Sequence, residues 1–218
     1  MIHEVFPLII YQGKVEGHDK FKENIDDLRE YWFDGYKNES PENSGKIFVH
    51  LKYKSFFNSI KKNIDEYFSY LNVDYSHLSY HIIKSWVGCH FEDTPQLNPH
   101  THNESNISFV YYLKSNSTSD KFVVSQRDNR NQAVGGLFET GQSNLITAYN
   151  KYNCNYYTIS PKEGTILLFP SDTQHHTQKF TDRIGERIVI AGDIRVTLNN
   201  KKSDYHQGCT HPSQWLEI

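Results

Sequence analysis

Cysteine is scarce in this chain: Cys89, Cys154 and Cys209 are the three present in 218 residues. An odd number spread so widely is not a disulfide framework, and a chain of this size does not need one. The scarcity points to a reducing compartment, and a cytoplasmic location is the expectation. Basic runs are also missing, since Lys61-Lys62 and Lys201-Lys202 are typical of the short clusters present and the net charge is −3. Nothing in that balance asks for nucleic acid. Nor is there an apolar run of membrane-spanning length. The stretch through Val5-Phe6-Pro7-Leu8-Ile9-Ile10-Tyr11 is too short, and it lacks a basic lead and a small-residue cleavage site, so neither membrane nor export is expected. Repeats, low-complexity tracts and linkers are absent too. One domain over residues 1–218 is therefore the expectation, with 1–77 packed on a core formed by 78–198 and a tail at 199–218.

Aromatic residues are plentiful. The 13 Phe, 15 Tyr and 3 Trp supply core volume, because each large ring buries roughly 150–250 Å². Val5 to Tyr11 reads as a first strand and Asp19 to Trp32 as a surface helix. Ser55 to Leu71 reads as an amphipathic helix whose stripe is Phe57, Ile60, Ile64, Phe68 and Leu71, with Lys61, Lys62, Asp65 and Glu66 opposite. After residue 78 the pattern becomes short strands: Ser79–Phe91, Ile107–Leu113, Lys121–Ser125, Asn155–Ser160, Gly164–Phe169, Gln174–Phe180 and Glu186–Leu198. Such a series without helical periodicity predicts a sandwich or barrel, a mainly β fold with helical decoration (α+β). Asp128 to Ser143 is a long polar loop, either a lid or plain surface.

Within this frame, Asn98-Pro99-His100-Thr101-His102-Asn103-Glu104 places histidines at alternate positions. Residues i and i+2 of an extended segment point the same way, so His100 and His102 can face one ion, and so can His102 and Glu104. Farther on, the apolar run from Gly164 ends at Pro170-Ser171 and the chain returns through His175-His176. Two imidazoles and a carboxylate, with open positions opposite, suit non-haem Fe(II), and three imidazoles can do similar work. Both sets stay open, as does His176 in place of His175. Arg187 sits in Glu186-Arg187-Ile188-Val189-Ile190, a run that otherwise reads as core. A buried cation needs a partner, and a dicarboxylate ligand offers guanidinium a two-pronged match. Tyr112 shares strand parity with Ser108 and either hydrogen-bonds such a ligand or fills core. Lys84, in register with Trp86, is read as exposed, and His81, Cys89 and His90 as strand residues. His206, Cys209 and His211 have soft-ligand character but not the spacing of a closed zinc site; a tail docked by Trp215 is the simpler expectation.

Taken in order, Ser85-Trp86, His100-Thr101-His102, Ser108-Phe109-Val110-Tyr111-Tyr112-Leu113, Gly164 through Ser171, His175 and Arg187-Ile188-Val189-Ile190 resemble the Fe(II)/2-oxoglutarate-dependent oxygenases. The likeness is to a group of small bacterial and phage members, and it runs from about residue 78 to 198 with an echo in Phe6-Pro7. It implies a double-stranded β-helix, a jelly-roll barrel with a metal in its mouth. His100, His102 and His175 would hold Fe(II), with Glu104 as the alternative ligand, and Arg187 would bind the remote carboxylate of 2-oxoglutarate. Three departures stand out. A histidine occupies the usual carboxylate place in His-x-Asp/Glu, Phe109 stands where glycine is expected, and Val189 stands where a hydroxyl often accompanies the arginine. The implied activity is a dioxygenase that uses molecular oxygen to hydroxylate an unactivated C–H bond of a small metabolite or peptidyl residue. With the third ligand position filled, hydroxylation is favoured over halogenation. Two other readings remain: a cupin-like three-histidine dioxygenase without 2-oxoglutarate, which would not need Arg187, and a non-catalytic jelly-roll binding module, in which Arg187 would pair with a protein carboxylate.

Overall fold

In the computed structural model the described residues are 1–29, 45–49, 53–91, 96–116, 120–126, 131, 134–135, 138, 145–178, 185–199, 211–214 and 216. Five strands, β1 (Tyr11–Lys14), β2 (Leu78–His90), β3 (Ile107–Lys114), β6 (Thr165–Pro170) and β8 (Arg187–Leu198), form one sheet in the order β1-β6-β3-β8-β2. Three more, β4 (Phe122–Ser125), β5 (Tyr156–Ile159) and β7 (His175–Thr177), form a second in the order β5-β4-β7. The strand pairings are antiparallel.

Alternation along these strands sorts the side chains into two cores, as the two-residue period of a strand requires. Phe109, Tyr111, Ile166, Leu168, Ile188 and Ile190 face outward into a core shared with the helices. Val110, Tyr112, Leu167, Phe169, Val189 and Ala191 face inward, where Phe122 and Val124 of the smaller sheet meet them. The outer core is capped by α1 (His18–Lys22), α2 (Ile25–Arg29), α3 (Lys54–Ser59) and α4 (Lys61–Tyr70), and Phe56 stacks on Tyr111 with ring centroids 4.8 Å apart.

Several expectations are corrected. The first strand begins at Tyr11, where pairing with Leu168 starts, and not at Val5. Phe6 has a φ of 58° and Pro7 lacks an N–H, so neither suits a ladder. The long amphipathic helix is two, broken at Ile60, where Ser59 Oγ donates to Phe56 O and competes for a backbone acceptor. Its buried stripe is Phe56, Ile60, Ile64 and Tyr67, whereas Leu71 is exposed. The helix expected over Asp19 to Trp32 is also divided, into α1 and α2. Trp32, most of the 128–143 loop, His206, Cys209 and Trp215 lie outside the described residues.

Position 109 carries Phe where the resemblance implies glycine, and a glycine faces it across the ladder. Phe109 pairs with Gly192 across β3 and β8, and a Cβ at Gly192 would lie 2.6 Å from the Phe109 ring and from Lys84 O. The missing side chain at Gly192 leaves room for the Phe109 ring, which reaches Phe56 and Phe57. In β2 the register against β8 shifts between Ile82 and Lys84. Tyr80 and Ile82 therefore pack on the helical side, while Trp86 packs on the inner cluster. Among the described residues no helix is long and apolar enough to cross a membrane.

Candidate metal centre

Backbone pairing brings the distant histidines together. His100 and His175 exchange two N–H···O bonds of 3.0 Å, and His102 N donates to Ser171 O at 2.8 Å. The short segment 100–102 is thereby laid along the start of β7 and the Pro170-Ser171 turn. The ring centroids of His100, His102 and His175 lie 4.4–5.3 Å apart, and their ligand atoms fall within 4.8 Å of one another. His175 is the most buried and His100 the most open. Aromatic walls hold the rings: Trp86 stacks on His102 at 5.6 Å, and Phe122 and Phe169 lie 5.2 Å and 4.7 Å from His175.

Each ring has an acceptor at Nδ1. Asn98 O lies 2.8 Å from His100 Nδ1, Asp193 Oδ1 2.7 Å from His102 Nδ1, and Thr173 O 2.9 Å from His175 Nδ1. A carbonyl or carboxylate oxygen can only accept, so every Nδ1 carries the proton and every Nε2 is left with a free lone pair. His102 Nε2 is buried with no hydrogen-bond partner. An orphaned buried acceptor is costly, and a cation among the three rings would satisfy it. Burial also keeps two of the rings in the ligating form, with His175 pushed down to about 3 and His100 lowered, desolvation being the largest cause in both. The site therefore fits a metal ion.

Glu104 and His176 do not join this group. Asn103 and Glu104 lie in a bend, and the Glu104 carboxylate reaches Lys84 Nζ at 2.6 Å on the exposed rim. Lys84 is half-exposed in that pair, as its sequence position suggested. His176 points to the other side of β7, with the edge of Tyr156 at 6.1 Å. At the C-terminus, His211 Nδ1 is 2.8 Å from Ser213 Oγ.

Deeper in the barrel lie Arg187 and Tyr112. Arg187 is 3% exposed, yet its Nε and Nη1 have no hydrogen-bond partner. Its guanidinium lies 5.3 Å from the centre of the Tyr112 ring. The Tyr112 hydroxyl is buried and makes no well-aligned hydrogen bond, and burial pushes it up to about 12, opposed by the charge and hydrogen-bonding pull of the neighbouring Arg187. From the Ser108/Asp193 rung beside His102, the inner face runs through Val110/Ala191 to Tyr112/Val189. At a strand rise of about 3.4 Å per residue, this lane is roughly 14 Å long. It has one polar end at the histidines, another at Arg187 and Tyr112, and apolar walls between.

Asp193 is the site residue that the sequence reading missed. It is 4% exposed and takes hydrogen bonds from His102 and Ser108. Burial alone would raise its carboxyl, but those bonds and the Lys84 charge hold it below the usual range. The available signal was the one that exposed Arg187: a charge in the apolar run of β8, at odd-numbered parity with it.

A family model described as "Putative 2OG-Fe(II) oxygenase" matches residues 84–193. No curated protein matches the chain. Among solved structures, iron-bound HygX from Streptomyces hygroscopicus is similar with a TM-score of 0.51 at 10% identity, covering 86% of this chain and 82% of that one. The same protein with nickel and 2-oxoglutarate bound gives 0.50 at 10% identity over 93% and 91%. An oxidoreductase of the 2OG-Fe(II) oxygenase family from Burkholderia pseudomallei gives 0.45 at 12% identity over 67% of this chain, which spans 57% of it. The two packed sheets are the double-stranded β-helix of these proteins.

Proposed function

The chain belongs to the 2OG-Fe(II) oxygenase family, and from that footing we propose that it is an Fe(II)/2-oxoglutarate-dependent dioxygenase hydroxylating an unactivated C–H bond of a small metabolite or peptidyl residue. Fe(II) and 2-oxoglutarate are the family's cofactors, and bound together with dioxygen they supply the oxidising power that such a bond requires. One observation carries the reading: three imidazoles have their Nδ1 protons committed to acceptors, so that their free Nε2 lone pairs can take one cation. We assign His100, His102 and His175 as ligands, leaving out Glu104 because it is engaged with Lys84 on the rim.

Arg187 takes the remote carboxylate of 2-oxoglutarate through its buried guanidinium, on which Nε and Nη1 are open, and the Tyr112 hydroxyl adds a further contact. A charge-assisted bond from guanidinium to carboxylate is about twice as strong as a neutral one. Val110, Val189 and Ala191 line the lane between and keep water from competing for the cosubstrate. Val189 offers no hydroxyl there; we assign that task to Tyr112. The reading treats residues 1–218 as one oxygenase unit with a core at 78–198. We assign that unit to the cytoplasm, in keeping with Cys89 and Cys154 standing outside any disulfide.

The test is anaerobic addition of Fe(II) and then 2-oxoglutarate to metal-free protein, following the weak visible charge-transfer band of a chelated 2-oxo acid, with Arg187→Ala alongside. A band in the wild type that weakens in the variant supports the reading. Stoichiometric iron without a band points to a three-histidine dioxygenase that needs no 2-oxoglutarate. No iron binding leaves a jelly-roll binding module.

A further inference from the structure

Three neutral imidazoles bring no negative charge to a metal, unlike the two-histidine, one-carboxylate set that the His-x-Asp/Glu pattern provides. The structure holds a carboxylate one hydrogen bond farther out. Among the acceptors behind the three rings, those for His100 and His175 are peptide carbonyls, whereas the one for His102 is the Asp193 side chain. We propose that Asp193 is a positioning residue that supplies, through His102, the anionic character missing from the ligand set. This rests on the assignment of His102 as a metal ligand.

A chain of hydroxyls fixes the polarity of this dyad. Ser105 Oγ donates to Ser171 Oγ at 2.7 Å, Ser171 and Ser108 hydroxyls are 3.0 Å apart, and Ser108 Oγ donates to Asp193 Oδ1 at 2.8 Å. Each hydroxyl has one proton to give. With Ser105 giving to Ser171, Ser171 gives to Ser108 and Ser108 gives to the carboxylate. Asp193 Oδ1 is then the common acceptor for Ser108 and His102, and the ring has no tautomer available except the one with Nε2 bare. Neutral carbonyls can set a tautomer as well, but a buried carboxylate also makes the imidazole a stronger donor of electron density to a metal. Trp86 stacked on the same ring holds it in line with Asp193.

Two substitutions separate this charge role from a merely structural one, because they move one property in opposite directions. Asp193→Asn keeps the shape and an acceptor oxygen but removes the charge. Ser108→Ala keeps the charge and removes the hydrogen bond that competes with His102 for it. The measurements are anaerobic Fe(II) titration of the full chain by equilibrium dialysis and the Fe(III)/Fe(II) midpoint potential of the loaded proteins. Asp193→Asn is expected to weaken Fe(II) binding by roughly 10–100-fold and to shift the potential positive. Ser108→Ala is expected to hold its affinity within about threefold and to shift the potential negative, since the full carboxylate charge then falls on His102.

The proposal is overturned, with the metal reading intact, if Asp193→Asn binds iron with wild-type affinity and potential. It is also overturned if both variants shift the potential the same way. The Ser108→Ala result stands alone if Asp193→Asn fails to fold: a positive shift there refutes the proposal and a negative one supports it. A wild type that binds no Fe(II) removes the metal reading and this inference together.

Discussion

Replacing Arg187 by methionine should make the cofactor-free protein more stable while abolishing its response to 2-oxoglutarate. Arg187 is 3% exposed and two of its nitrogens have no partner. Each unmet buried donor costs about 1–3 kcal/mol, so the pair costs roughly 2–6 kcal/mol. Against this stands the contact of the guanidinium with the Tyr112 ring at 5.3 Å, worth up to about 2 kcal/mol when desolvated. Methionine has similar length and no donors, so the expected net gain is about 2 kcal/mol, or a rise of about 4–8 °C in Tm for a chain of this size. Urea denaturation and calorimetry of metal-free wild type and Arg187→Met measure it. A second scan with Fe(II) and 2-oxoglutarate at about 100 times its Kd should add about 2.7 kcal/mol to the wild type by mass action and little to the variant. A variant less stable than wild type by more than about 1 kcal/mol would refute the reasoning. That result would mean that a protein group satisfies the guanidinium and that Arg187 is structural.

The other expectations concern the histidines and their surroundings. Glu104→Ala should bind Fe(II) within about twofold of wild type, because its carboxylate is exposed and paired with Lys84, whereas His175→Ala should lose stoichiometric iron; metal analysis after dialysis decides both. Tyr112→Phe removes a buried hydroxyl that makes no well-aligned hydrogen bond, so the cofactor-free protein should be as stable as wild type or about 1 kcal/mol more so, while 2-oxoglutarate binds more weakly by calorimetric titration. The metal-free protein should also lose stability in acid. His175 is held near 3 against an unfolded value of about 6.5, so its neutral form contributes fully above the unfolded value, and that contribution is lost as pH falls from there toward the folded one. The full loss approaches roughly 4–5 kcal/mol; His175→Gln should flatten Tm against pH across this window, and an unchanged slope would contradict the assignment. Gly192→Ala should destabilise by about 1–3 kcal/mol, read in urea, because the added Cβ meets the Lys84 carbonyl as well as the Phe109 ring.

The strands after residue 78 were legible because each carries its own evidence: a run of β-branched and aromatic residues with a two-residue period, bounded by turns. Observed strands such as Ile107–Lys114 and Thr165–Pro170 differ from those expectations by a residue or so. The N-terminal third was harder to read. Its short helices depend on tertiary contacts more than on propensity, and the stripe on α4 turns out to include Tyr67, whose ring faces Tyr11 of β1, a neighbour that helical spacing does not reveal. The register shift at Ile82/Lys84 was equally hidden. A bulge leaves composition unchanged and reverses which face each later residue occupies.

At the site, parity located the side chains that share a strand, and it stopped where the strand stopped. His100, His102 and Glu104 fit the same alternation, so spacing alone could not choose between His100 and Glu104 as the companion of His102. What separates them is pairing. His100 is tied to His175 by two backbone bonds and His102 to Ser171 by one, which keeps 100–102 extended, and the chain then bends at Asn103-Glu104 and carries the carboxylate out to Lys84. Asp193 escaped for a related reason. Its strand parity was readable, but its importance lies in meeting His102, Ser108 and, through Ser108, Ser171, on three separate stretches of chain. Two residues after His102 the spacing offers Glu104, but the carboxylate that meets this ring belongs to Asp193 of β8, ninety-one residues on, where no local spacing points.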